Sequence, residues 1–133
     1  MKHITIGFLL LTFVAMAASS GTATTCVVNK KFKVKVVCGT VTDPTEVPIP
    51  KVDVELLDNH SVVLQRVVTN EDGRFNMPNV SKGEYVLRVK VPYFVTAWQP
   101  FVVTKSNANA RCNKPMQVRL GLAGRCSSVS KPR

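Results

Sequence analysis

The chain has 133 residues, 45% of them hydrophobic, with 18 Lys and Arg against 8 Asp and Glu for a formal net charge of +10. That length suffices for one compact domain and excludes two of ordinary size. The positive excess either serves solubility on scattered faces or favours anionic partners, with cell-surface polymers, acidic polysaccharide and lipid headgroups ahead of nucleic acid.

The N-terminus reads as a leader. Lys2 and His3 precede the uncharged run ITIGFLLLTFVAMA, and Ala15-Met16-Ala17 forms a small-x-small cleavage site. The run is shorter than the roughly 20 residues that a membrane span needs. A signal peptide over residues 1–17 is expected, with a boundary that could extend to about 25, and no membrane span follows in the mature chain. Cys26 follows Ala23-Thr24-Thr25, which is not a lipoprotein signal. Export to the periplasm or the exterior is the expected destination.

Cys26, Cys38, Cys112 and Cys126 all lie beyond the leader. An even count in a small exported chain predicts two disulfides. No C-x-x-C occurs and no His sits near a Cys, so zinc is disfavoured. Two connectivities stay open on this ground: local loops (26–38 and 112–126), or cross-links that tie the first strand to the last.

From residue 32 apolar and polar residues alternate, with turn residues every 8 to 12 positions, the pattern of an all-β sandwich or barrel. Seven strands are predicted. FKVKVVCGTVTD (32–43) is the first, with Phe32, Val34, Val36 and Cys38 on one face. The proline-rich 43–50 is a loop. In the second strand, 51–57, Val52, Val54 and Leu56 oppose Asp53 and Glu55. The turn 58–61 leads to the third, 62–69. Asp72-Gly73 then reads as a hairpin turn into the fourth, RFNMPNV, because Asp-Gly between alternating runs is a strong hairpin signal and Gly73 supplies positive φ. Asn70-x-Asp72-Gly73 supplies only a fragment of a calcium loop's oxygen ligands, so a turn is expected there rather than a metal site. The fifth strand is 84–91, with Tyr85, Leu87, Val89 and Val91 inward and Arg88 and Lys90 outward. The sixth lies within 91–104, a polar loop covers 105–115, and the seventh is 115–124. The domain is expected over 26–126, and 127–133 as a flexible tail too polar and short to pack.

The order and spacing of Gly39-x-Val41-x-Asp43, Pro50-x-Val52-x-Val54, Thr69…Asp72-Gly73-x-Phe75 and Gly83-x-Tyr85-x-Leu87-x-Val89 resemble the carboxypeptidase regulatory-like domain over roughly residues 36–104. The resemblance implies a Greek-key β-sandwich of the prealbumin (transthyretin-like) type, secreted by bacteria; with the predicted strands and cysteines it is expected to be seven-stranded and disulfide-stapled, the four cysteines being an addition to the family's pattern. It also implies a non-catalytic module, of a kind found attached to peptidases, outer-membrane receptors and surface proteins or alone after a signal peptide. The wider superfamily includes carbohydrate-binding relatives. A Gly often follows Asp-Pro-Thr in the family, whereas Glu46 stands here. By analogy with transthyretin, whose first and last strands are neighbours, the cross-linked disulfide pattern is the expected one. Similarity to isopeptide-forming adhesin repeats stops at Val89, where those carry a Glu. Similarity to hydroxyisourate hydrolases stops at their several histidines and C-terminal Tyr-Arg-Gly-Ser, which this chain lacks.

Catalysis needs a positioned base, nucleophile or metal. His60 is the one histidine beyond the leader, and Asp58, His60 and Ser61 share a tight turn from which they cannot converge on one reacting atom. No catalytic residue, metal or cofactor is expected, and a small secreted hydrolase is the weakest reading. Asn59 and Asn79 fit the glycosylation pattern, which a bacterial origin makes a coincidence. Phe94 and Trp98 are expected to plug the sandwich end. The competing reading makes Tyr93, Phe94 and Trp98 a platform for sugar rings, with Lys33, Lys35, Arg74, Arg88 and Lys90 as a basic face if their strands share a sheet. The expected partner is a cell-envelope polysaccharide or another envelope protein.

Overall fold

The computed structural model describes Cys26 and residues 30–106, 111–122 and 124–132; the leader expected over 1–17, and its extension to 25, lie outside the described residues. The described chain contains strands and no helix, hence none long and apolar enough to cross a membrane.

Among the described residues the strands are β1 (Phe32–Val34), β2 (Val37–Thr42), β3 (Asp53–Leu57), β4 (Val63–Val68), β5 (Arg74–Met77), β6 (Gly83–Val89), β7 (Ala97–Val103), β8 (Met116–Arg119) and β9 (Ser128–Ser130). They form a five-stranded sheet in the order β1-β7-β6-β3-β4 and a four-stranded sheet in the order β5-β2-β8-β9. β6 returns beside β3 after the chain has passed through β5 of the opposite sheet, a Greek-key excursion. Between the sheets lies one core, with Phe101, Val54, Val89, Val41 and Val118 wholly buried.

The alternating segments are strands as predicted, with three differences. The segment 32–43 is two strands, because a bend at Lys35-Val36 carries the chain from one sheet to the other. The bend shifts the apolar phase by one residue, so Val37 and Val41 enter the core instead of Val36, and Cys38 is buried on the opposite face. The Asp72-Gly73 turn does not close a hairpin, since β4 and β5 belong to different sheets and β5 pairs antiparallel with β2. It remains a turn: Asn70 Oδ1 accepts the amides of Asp72 (3.0 Å) and Arg74 (2.9 Å), and Gly73 has φ +68°. Finally, 128–130 is no flexible tail. β9 pairs with β8, and Val129 is buried between the exposed Ser128 and Ser130. The Ser127 hydroxyl secures its approach by accepting the Gly121 amide at 2.8 Å and donating to the Val95 carbonyl.

Cys26 pairs with Cys126 and Cys38 with Cys112, the cross-linked pattern, closing sequence separations of 100 and 74 residues. Loops of that size correspond to about 4.5 kcal/mol each in the chain-entropy account.

Glu46 stands where the family often has Gly, and its φ is +69°. The backbone therefore keeps the left-handed conformation while the side chain pairs with Arg119, both partners half exposed or more. Left-handed geometry costs a non-glycine residue about 1 kcal/mol, and an exposed ion pair returns less than that. Glu46→Gly is expected to leave stability unchanged or raise it by about 0.5 kcal/mol after its own unfolded-state entropy is counted. Chemical denaturation of both proteins checks this; a loss above about 1 kcal/mol would show that the Arg119 pair dominates.

Candidate functional site

The strands of the five-stranded sheet turn one face to the core and the other to solvent. β3 alternates so that Val54 and Leu56 point inward while Asp53 and Glu55 point outward. Pairing registers then set outward side chains side by side: Trp98 opposite Arg88, Arg88 opposite Glu55, and Glu55 opposite Arg66. The result is one row of four side chains crossing β7, β6, β3 and β4.

Glu55 is the centre of the row and only 7% exposed. Arg88 Nε donates to its Oε2 at 2.5 Å and Arg66 Nη2 to its Oε1 at 2.6 Å. The Arg88 hydrogen bond, supported by Arg66, holds the Glu55 carboxyl below its ordinary value against the opposing effect of burial. The Arg88 guanidinium in turn lies 5.4 Å from the centroid of the Trp98 ring, a cation–π contact. One step toward the sheet end lie Asp53, Lys90 and Thr96, and together these seven residues line an open cleft of about 390 Å³.

The cleft offers an indole that remains 43% exposed beside a dense set of hydrogen-bonding groups. Arg66 and Arg88 each use one nitrogen on Glu55, and the remaining guanidinium N–H groups, Lys90 Nζ and the Thr96 hydroxyl donate to no protein acceptor among the described residues. Three cations face two carboxylates. Such a surface can stack a flat apolar face and bind hydroxyl or anionic groups around it. Among the described residues no group of three or more His, Cys, Asp or Glu side chains is placed to hold a metal ion.

Of the residues singled out in the sequence, Trp98, Arg88 and Lys90 come together here. Trp98 is therefore not a plug in the sandwich end; its position in β7 points it to the outer face. Phe94 does pack against the core. Tyr93 stands apart from the cleft, 95% exposed at the tip of the turn 91–94, where the Phe94 amide donates to the Val91 carbonyl at 3.2 Å. Its φ of +69° puts a bulky aromatic where such a turn ordinarily takes glycine. The basic face does not assemble. Lys33 sits on β1 opposite Val102, near the other end of the strands, where Lys31 pairs with Glu84 at 2.8 Å. Lys35 lies in the bend after β1, and Arg74 belongs to the other sheet. His60 is exposed in its turn, and Asp58 Oδ1 accepts the backbone amides of His60 (2.8 Å) and Val62 (2.9 Å). Sequence reasoning did not single out Asp53, Glu55, Arg66 and Thr96 as site residues. Alternation did place Asp53 and Glu55 opposite the core face, but only the register across four strands brings them to Trp98.

The sequence profile of the carboxypeptidase regulatory-like domain matches residues 36–116. Among solved structures the chain is similar to the Klebsiella pneumoniae 5-hydroxyisourate hydrolase, with 19% identity and a TM-score of 0.53, over 74% of this chain and 98% of that one. At that identity the likeness concerns the fold. A search of the curated proteins returns no match.

Because the folded Glu55 carboxyl titrates below its unfolded value of about 4.5, the stability that it contributes is complete above that value and lost as pH falls through the folded one. Glu55→Gln leaves two guanidiniums facing each other and is expected to cost about 1–3 kcal/mol at pH 7, allowing for the exposure of Arg66. The gap between the two proteins should close in acid, once the pH has fallen through the folded value and the native glutamate is itself protonated. Urea denaturation at pH 7 and in acid measures it; a gap that persists in acid would mean that Glu55 acts through packing and not through charge.

Proposed function

The chain belongs to the carboxypeptidase regulatory-like domain family, and from that premise we propose that it is an exported, non-catalytic recognition module whose binding face is the outer side of the five-stranded sheet. One observation carries the proposal: the half-exposed Trp98 indole beside the ion-paired row Arg88–Glu55–Arg66, at a cleft lined almost wholly by groups that hydrogen-bond. The ligand class that this chemistry suits is a polysaccharide of the cell envelope or of plant tissue, neutral or acidic. Its rings would stack on Trp98 and its hydroxyl or carboxylate groups would meet Lys90, Thr96 and the free guanidinium edges.

Export rests on the expected leader, and two disulfides across the domain are compatible with an oxidising compartment. A non-catalytic role is supported by the family and by the dispersal of the candidate groups. His60 and Asp58 sit in a turn that their own backbone contacts organise, in a loop distinct from the residues that line the cleft.

The processed chain is tested for binding to a panel of envelope and plant polysaccharides at low and high salt. A shaped site predicts binding that survives salt, falls about tenfold (about 1.4 kcal/mol) in Trp98→Ala and is unchanged in Tyr93→Gly, which removes the strained aromatic at the loop tip. Binding lost with salt and indifferent to Trp98 would reduce the interaction to net charge. No binding at all would turn the search to an envelope protein partner.

A further inference from the structure

The lining of the cleft carries one positive charge more than its own acids match, since Arg66, Arg88 and Lys90 face Asp53 and Glu55. Glu55 is saturated: one of its oxygens accepts from Arg88 and the other from Arg66. Arg88 is the more enclosed of the two arginines, its side chain 27% exposed against 57% for Arg66. Glu55 holds it by Nε, and the Trp98 ring lies against its guanidinium. Its two Nη atoms are thereby a fixed pair of donors beside the indole. Such a planar fork fits a planar carboxylate through two parallel bonds, and hydrogen bonds between ionised groups are about twice as strong as neutral ones. Lys90 is exposed two residues further along the same face, a distance of about 7 Å in an extended chain. Asp53 extends the β3–β6 pairing beyond Val54 and Val89 and stands in the row of Lys90. Among the described residues neither the Lys90 ammonium nor the Asp53 carboxylate takes part in an ion pair.

We infer that the cleft selects uronic-acid sugars, with Asp53 as an acceptor for a sugar hydroxyl; the inference rests on the polysaccharide reading of the cleft and narrows it to acidic chains. The pyranose face lies on Trp98. The sugar carboxylate takes the Nη pair of Arg88, with Lys90 beside it, and a hydroxyl of the same or the next sugar donates to Asp53. One carboxylate balances the one excess positive charge. A neutral sugar leaves that charge unmatched, and a phosphate dianion overshoots it. Asp53 separates a sugar acid from anions at large. An ionised carboxylate only accepts hydrogen bonds. It therefore repels a sulfate or phosphate group, whose oxygens are acceptors too, and is satisfied by a hydroxyl. Indole, guanidinium fork and lone carboxylate are thus the counterparts of ring face, carboxylate and hydroxyl, the three features that a uronic acid carries together.

Binding of the processed chain to polygalacturonate and polyglucuronate is measured by calorimetry at physiological salt. The methyl ester of each polymer keeps the ring and removes the charge, and dextran sulfate carries charge on the wrong group. The wild type is expected to bind at least one of the acids about tenfold more tightly than its ester, the loss of one charge-assisted contact. Lys90→Gln should erase most of that preference by weakening the acid alone. Asp53→Ala separates the readings by sign. Removing a negative charge strengthens attraction to any polyanion, whereas removing a hydroxyl acceptor weakens binding to the sugar acid. Uronate binding should fall about threefold or more in Asp53→Ala while dextran sulfate binding does not fall. Circular dichroism checks that both variants fold. An acid and an ester that bind equally, each depending on Trp98, overturn the uronate selectivity and leave the polysaccharide reading standing. Uronate affinity that rises in Asp53→Ala overturns the inference as well and reduces the contact to net charge. Absence of binding to acids and esters alike removes the polysaccharide reading, and the inference falls with it.

Discussion

The approach of the Phe75 ring to Gly39 is the contact on which the sandwich depends. Gly39 pairs with Phe75 across β2 and β5 and with Met116 across β2 and β8. A Cβ at that position would stand 2.8 Å from the Phe75 ring and 2.6 Å from the Met116 carbonyl oxygen. β2 is an inner strand of its sheet, so a side chain there would push on both neighbours at once. The two most recognisable family fragments, Gly39-x-Val41 and Asp72-Gly73-x-Phe75, are therefore the two halves of one packing arrangement. Gly73 turns the chain with φ +68° and the Val41 carbonyl only 2.7 Å from where its Cβ would be, which delivers Phe75 onto Gly39.

With the inner faces of both sheets committed to the core, function has only the outer faces, the edges and the loops. On the five-stranded sheet the outer face is organised by a carboxylate that is costly to desolvate. Two guanidiniums on a 7% exposed Glu55 offset that cost without making the cluster a strong source of stability. What the cluster does is fix positions. Arg88 is held from both sides, by Glu55 and by the Trp98 ring, so the indole and the free edge of the guanidinium keep a defined relation before any ligand arrives. Pre-organisation of that kind lowers the entropy cost of binding.

The parts of this architecture that were legible in the sequence are those governed by local alternation. Leu56, Leu87 and Val89 are core residues, and apolar and polar residues alternate without a break from Val52 to Leu56 and from Leu87 to Val91. The bend at Lys35-Val36 was hidden because Val36, Val37 and Cys38 are all apolar, so either phase fits, and no Gly or Pro marks the change. Ser128-Val129-Ser130 is too short to carry a pattern, and its pairing depends on the Cys26–Cys126 bridge and the Ser127 contacts beside it. The site was illegible for a different reason. Glu55 meets Arg66 and Arg88 across 11 and 33 residues of sequence, and such contacts are set by register and not by composition. The disulfide pairing was open on the cysteines alone and became readable only through family resemblance.

The structural likeness to a hydrolase carries the fold and no activity, because a sandwich specifies where side chains can be placed and not which ones are. On the outer face of this chain the charged row ends in Arg66. It reaches Glu55 from the edge strand β4 and lines the cleft. A group bound at that end of the cleft would share the Arg66 guanidinium with Glu55. Edge strand and outer face thus meet at one side chain, placed there by register and not by local pattern.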